Sequence, residues 1–186
     1  AREDILSVGV AFDKVEAGIT RFIEARERMF TSGDALTTAT RELRKVLDAT
    51  QDPELMLAGA NINQGATSVR LGGLRFVAGR DFKWVETAKG NAATTKSTIS
   101  AVVPKIPEAG KPALAEAVTA LDTYVAAVDD AAAALQQSQT DSVAMTAKAI
   151  EMQAKLGGLR DKVVAAYRGS NDAAQDAIHQ TKLLQI

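Results

Sequence analysis

Cysteine is absent from the 186 residues, so no disulfide, thiolate metal site or cysteine nucleophile is available. The chain holds one histidine, His179, and a Ser-His-Asp triad or a His-rich metal site would have to be built on it. Nothing in the neighbouring sequence supports either. Aromatic residues make up only 4% and proline occurs four times, at 53, 104, 107 and 112. That argues against a β-sandwich, which needs many aromatic and β-branched strands with frequent turns. An excess of positive charge is also missing: 22 basic side chains face 23 acidic ones, and no nucleic-acid footprint results. No apolar run approaches the roughly 18 residues that span a bilayer. Phosphate loops, nucleotide fingerprints and metal-ligand spacings are lacking as well. No cofactor, metal or catalytic reaction is therefore expected.

What the chain does have is alanine, 35 residues of it, the strongest helix former. Apolar positions from Ile5 through Val8, Phe12, Val15, Ile19 and Phe22 step by three and four, the seam of a packed helix. The same register passes Arg26, Met29, Gly33, Leu36, Thr40, Leu43 and Leu47, which predicts one helix over about residues 3–50. Asp52-Pro53 starts a second, with proline near the first helical position. Its seam is read as Leu57, Gln64, Leu71, Leu74, Ala78, Val85 and onward to Val102, with a bend or a break at Gly90-Asn91. Ile62, Val69 and Phe76 form a further stripe, and a helix apolar on two sides points to a second subunit. Pro104, Pro107, Gly110 and Pro112 mark a linker. A third helix follows over Leu114–Leu135, then a polar turn at 136–141, then a fourth helix carrying Met145, Met152, Leu156, Leu159 and Val163. The expected fold is all-α: an antiparallel, up-down-up-down four-helix bundle with long helices, as one bundle or as two stacked modules, and one domain over 1–186.

Leu-Gly-Gly-Leu-Arg occurs twice, at 71–75 and 156–160, although glycine within a helix costs about 1 kcal/mol relative to alanine. With folds at residues 51 and 139, residue n of the first helix lies level with 103−n on the second and 190−n on the fourth. Gly33 and both glycine pairs then share one layer, with Arg26, Arg75 and Arg160 beside it and Tyr124 at the same height. Arginine holds carboxylates through paired, charge-assisted hydrogen bonds. The site expected from this is a small organic anion between helices, held by Arg26, Arg75 and Arg70 or Arg160, with Tyr124 or Tyr167 as wall and donor. The structural alternative is that the glycines only permit close helix approach and the arginines are solvated or paired.

The stretches Glu24–Asp34 and Val69–Asp81, with Leu121-Asp-Thr-Tyr124 before a long alanine-rich helix, resemble the extracytoplasmic sensor domains of bacterial methyl-accepting chemotaxis receptors, of the four-helix bundle and helical bimodular types. The resemblance implies a periplasmic domain between two transmembrane helices, a homodimer, and a carboxylate or amino-acid ligand on helix-borne arginines. The resemblance implies that part for Arg26 on the first helix and for Arg70 or Arg75 on the second. A chain that starts at Ala1 rather than Met fits an excised domain. Two other readings stay open: the ectodomain of a sensor histidine kinase, and a ligand-free helical scaffold or coiled-coil oligomerisation domain.

Overall fold

The computed structural model describes residues 2–183. The chain is all-α, and among the described residues there is no strand. Four helices follow in order: α1 (Arg2–Ala49), α2 (Pro53–Gly79), α3 (Lys83–Val102) and α4 (Lys111–Leu183), with a short 3₁₀ turn at Glu108–Gly110 ahead of α4. The chain divides into two compact units, residues 16–138 and residues 1–15 with 139–186, so α1 and α4 each contribute to both.

The start of α2 lies where the sequence places it. The Asp52 carboxylate accepts the backbone N–H groups of Glu54 (2.8 Å) and Leu55 (3.4 Å), and Pro53 occupies the first turn. The expected second segment, from Asp52-Pro53 to Val102, is two helices. It breaks at Gly79–Phe82 and not at Gly90-Asn91, with Arg80 in the left-handed region (φ 53°) donating its N–H to the Phe76 carbonyl. A single register does not carry across such a helix end, so the seam that fits α3 falls on the wrong face of α2. Leu57, Leu71 and Leu74 are exposed, while Leu55, Gly59, Ile62, Ala66, Val69, Gly73 and Phe76 are buried at alternating steps of four and three. Ile62, Val69 and Phe76, read as a face for a second subunit, are covered entirely by this chain.

The expected turn at 136–141 is also absent, and α4 runs through it without interruption. Steps of four and three continue unbroken from Ala117 through Leu121, Tyr124, Val128, Ala131, Leu135 and Ser138 to Ser142, Met145, Ala149 and Met152. The first seven are buried and the last four half-buried. Glutamine, serine and threonine are polar but do not stop a helix, which takes proline, glycine or a capping geometry.

Within residues 16–138 the core has two parts. One gathers Met29, Leu36, Val69, Phe76, Val85, Leu121, Tyr124 and Val128; the other gathers Leu43, Leu47, Leu55, Ile62, Ile99, Val102 and Ile106. Neighbouring helices meet at residues whose numbers rise on one and fall on the other. Gly59 sits by Leu47 and Arg70 by Thr37 between α1 and α2; Gly65 sits by Thr95 and Gly72 by Ala88 between α2 and α3. Lys96 pairs with Asp122 and Lys89 with Asp129 between α3 and α4. Gly18 lies by Ser138 and Arg28 by Asp130 between α1 and α4.

Glycine is used here for its size. A methyl group at Gly72 would stand 2.9 Å from the Ala88 Cβ and 3.1 Å from its backbone nitrogen, so α2 and α3 touch almost main chain to main chain. Gly90, by contrast, has nothing within 4 Å of an added methyl. Gly72→Ala should lower the unfolding free energy by about 1–3 kcal/mol through overpacking. Gly90→Ala should raise it by about 1 kcal/mol through helix propensity. Urea unfolding followed by circular dichroism reads both, and equal signs would contradict the packing described.

Candidate functional site

Tyr124 is the organising residue of the region in which the sequence placed a ligand. Its ring is 1% exposed and lies between Gly33 of α1 and Gly73 of α2. A methyl at Gly33 would come within 3.0 Å of the ring Cε2, and one at Gly73 within 3.1 Å of Cζ and of the Val128 Cγ2. The hydroxyl donates to the backbone carbonyl of Arg70 at 3.1 Å. Burial pushes the Tyr124 phenol from its ordinary 10.0 up to about 12, with the Arg70 charge acting in the opposite direction. The expected empty layer lined by glycine is therefore occupied: the two glycines make room for a side chain of the chain itself.

Arg70 reaches from α2 onto α1. One guanidinium nitrogen donates to Thr37 Oγ1 at 2.5 Å and another to the Asp34 carboxylate at 2.9 Å, while Nε faces Gly33. The Arg70 side chain is 28% exposed and Asp34 is 79% exposed, so a half-buried guanidinium is met by a carboxylate that stands in solvent. The 103−n arithmetic had set Arg70 level with Gly33, and Asp34 and Thr37 are the next polar residues on that face. Neither was singled out from the sequence, although a carboxylate and a hydroxyl three residues apart opposite an arginine were the available signal.

The other predicted residues part company. Arg26 lies on α1 between the fully buried Ala25 and Met29, and its Nε is buried without a hydrogen-bond partner. Arg75 stacks on Trp84 at 4.6 Å from the ring centroid, across the α2–α3 turn. Beside it Phe76 and Phe82 sit 5.6 Å apart. Arg160 is exposed and bound to its neighbour Asp161 at 2.9 Å, and Tyr167 is 76% exposed. Both belong to the unit formed by residues 1–15 and 139–186, as do Gly157 and Gly158. The layer that was to unite the two pentapeptides required a chain reversal at 139, and α4 does not reverse. His179 is exposed.

An open groove between α1 and α4 is lined by Glu24, Glu27, Arg28, Thr31, Thr123 and Asp130, with Arg28 and Asp130 at 3.5 Å. Both partners are more than half exposed, and such pairs contribute little. Among the described residues no group of three or more His, Asp or Glu is placed to hold a metal, and no helix is long and apolar enough to cross a membrane.

The phenol gives a pH signature. The unfolded chain releases its proton near pH 10 and the folded chain near pH 12. Stability should thus be unaffected by this group below pH 10 and fall between pH 10 and 12, by at most one proton's worth of slope. Denaturant midpoints measured across that window should lose this component in Tyr124→Phe, which also costs about 1 kcal/mol at neutral pH for the lost hydrogen bond.

No protein-family model matches the chain, and no curated protein matches it.

Proposed function

We propose that the chain is the extracytoplasmic sensor domain of a membrane receptor, of the kind found in bacterial chemotaxis receptors, and that it binds a small organic anion, a carboxylate or an amino acid, between helices. Residues 16–138 serve as its up-down-up-down four-helix bundle, a reading supported by the oppositely running contacts between neighbouring helices. The observation that carries the ligand class is the Arg70 guanidinium, half-buried and already holding a carboxylate and a hydroxyl from another helix. A ligand carboxylate would take the position of Asp34, which is free to turn to solvent. Arg26, whose buried Nε has no hydrogen-bond partner, lies eight residues before Asp34 on α1, about 12 Å along the helix, and stands apart from the Arg70 pair. Arg75 and Arg160, held by Trp84 and Asp161, leave the ligand set.

Signalling on this reading is a population shift: the ligand favours whichever helix arrangement binds it more tightly. The Tyr124 hydroxyl ties α4 to the backbone of Arg70, so displacement at the arginine is felt by α4. That helix is continuous from Lys111 to Leu183, and a slide or tilt of about 1–2 Å suffices in such devices.

A second reading has an observation of its own. Tyr124 fills the glycine layer, as it would in a ligand-free helical spacer. Calorimetry and thermal shift against a panel of dicarboxylates and amino acids separate the two. The sensor reading expects a specific hit that stabilises the fold by about 2.7 kcal/mol at a hundred times its dissociation constant. The stabilisation should vanish in Arg70→Ala and persist in Arg75→Ala and Arg160→Ala. A flat response across the panel would leave the spacer.

A further inference from the structure

The ion pairs between described residues are surface pairs with both members well exposed, and Arg70–Asp34 is the exception. Arg70 is 28% exposed, the least of any member, while its carboxylate partner is 79% exposed. The two partners of this guanidinium are held unequally. Thr37 is fixed: its hydroxyl donates to the Gly33 carbonyl at 3.0 Å and so offers only lone pairs to Arg70. Asp34 is not fixed, and among the described residues its carboxylate has no partner besides Arg70. The positions one turn away on α1 are Phe30, Thr31, Thr37 and Thr38, none of them a cation. Aspartate is also one of the poorer helix formers, and residue 34 stands in the middle of a 48-residue helix. The contact with Arg70 is what an aspartate adds there.

The carboxylate can therefore leave without dismantling what it leaves behind. Arg70 keeps Thr37, and the Tyr124 hydroxyl keeps the Arg70 backbone in place through its carbonyl at 3.1 Å. A vacated guanidinium so held is a ready acceptor site for another carboxylate.

We infer that Asp34 is a tethered competitor: a carboxylate of the chain itself that occupies the anion position on Arg70 and sets the concentration at which a free carboxylate enters. The inference rests on the reading of Arg70 as the anion-holding residue and adds the regulation of that site. A competitor on the same chain acts at a fixed effective concentration, and only molecules with Asp34 turned outward bind. A pair with one member in solvent biases the population by up to about fivefold, so the apparent affinity for a free carboxylate is lowered by about that factor. Among the described residues this is also the only ion pair joining α1 to α2. An entering anion and the loss of Asp34 thus have the same consequence, since each removes that link.

Acetate is the probe, because it offers a carboxylate and little else. The whole chain, nitrogen-labelled, is titrated with sodium acetate against sodium chloride at equal ionic strength, with the Gly33 and Arg70 resonances followed by NMR. Asp34→Ala and Asp34→Asn should reach half-saturation at about a fifth of the acetate concentration that the wild type needs. Asp48→Ala, which removes the same charge from the Arg44 pair of α1, should leave the midpoint where it is. Arg70→Ala should abolish the response, alone or combined with Asp34→Ala. Circular dichroism checks that each variant keeps its helices. Equal midpoints for the wild type and both Asp34 variants, with the response lost in Arg70→Ala, overturn the competition and leave the Arg70 reading standing. A midpoint lowered as far by Asp48→Ala reports net charge alone and overturns it too. An acetate response that survives Arg70→Ala overturns the Arg70 reading and the inference together. An Asp34→Ala chain that takes no acetate overturns the inference, while the sensor reading answers to its own ligand panel.

Discussion

One buried phenol holds three helices of the 16–138 unit together. Tyr124 projects from α4 into a slot that exists only because residues 33 and 73 have no side chain, and its hydroxyl is satisfied by the main chain of α2. A ring of that size needs space on both sides, and a buried hydroxyl needs an acceptor. Both demands are met at one height, which fixes the mutual register of α1, α2 and α4. Arg70 lies on top of this contact: its carbonyl receives the phenol and its guanidinium reaches Asp34 and Thr37. The polar crossing of α1 and α2 and the aromatic packing of α4 are thus one construction.

That construction changes the meaning of the glycines. Read along the sequence, glycine in a helical layer between arginines suggests a void. In the fold, Gly33 and Gly73 receive a tyrosine, Gly72 receives the main chain of α3 around Ala88, and Gly18 receives Ser138. The candidate site is accordingly a guanidinium held by a carboxylate of another helix, and not a cavity between two pentapeptides. On the proposed reading a ligand would replace an internal partner of Arg70 and so couple binding to the α1–α2 contact.

The helices and their composition were legible because alanine content, proline positions and the Asp52-Pro53 cap act locally. Buried positions were legible where one register spans one helix, as in α1 beyond Met29 and in α3. They were misread where a helix ended without a strong signal, at Arg80, or continued without one, at 136–141. The polar run 136–141 reads as a turn by composition, but the buried set of α4 passes through it without a change of phase. At the site, Arg70, Arg26 and Tyr124 were named from the sequence, but Asp34 and Thr37 were not, and Arg160 and Tyr167 were drawn in only by the supposed turn.

The sequence by itself determined an all-α chain, the cap between α1 and α2, and the proline segment before α4, because helix propensity, capping and the fixed φ of proline depend on neighbours in the chain. Only the tertiary structure decided which stripe of α2 is inside, that Tyr124 and not a guest fills the glycine layer, and that the second glycine pair belongs to another unit. Those outcomes depend on which side chains meet across helices, and that in turn depends on where each helix stops. A single helix end moved by a few residues rotates every later position to a different face.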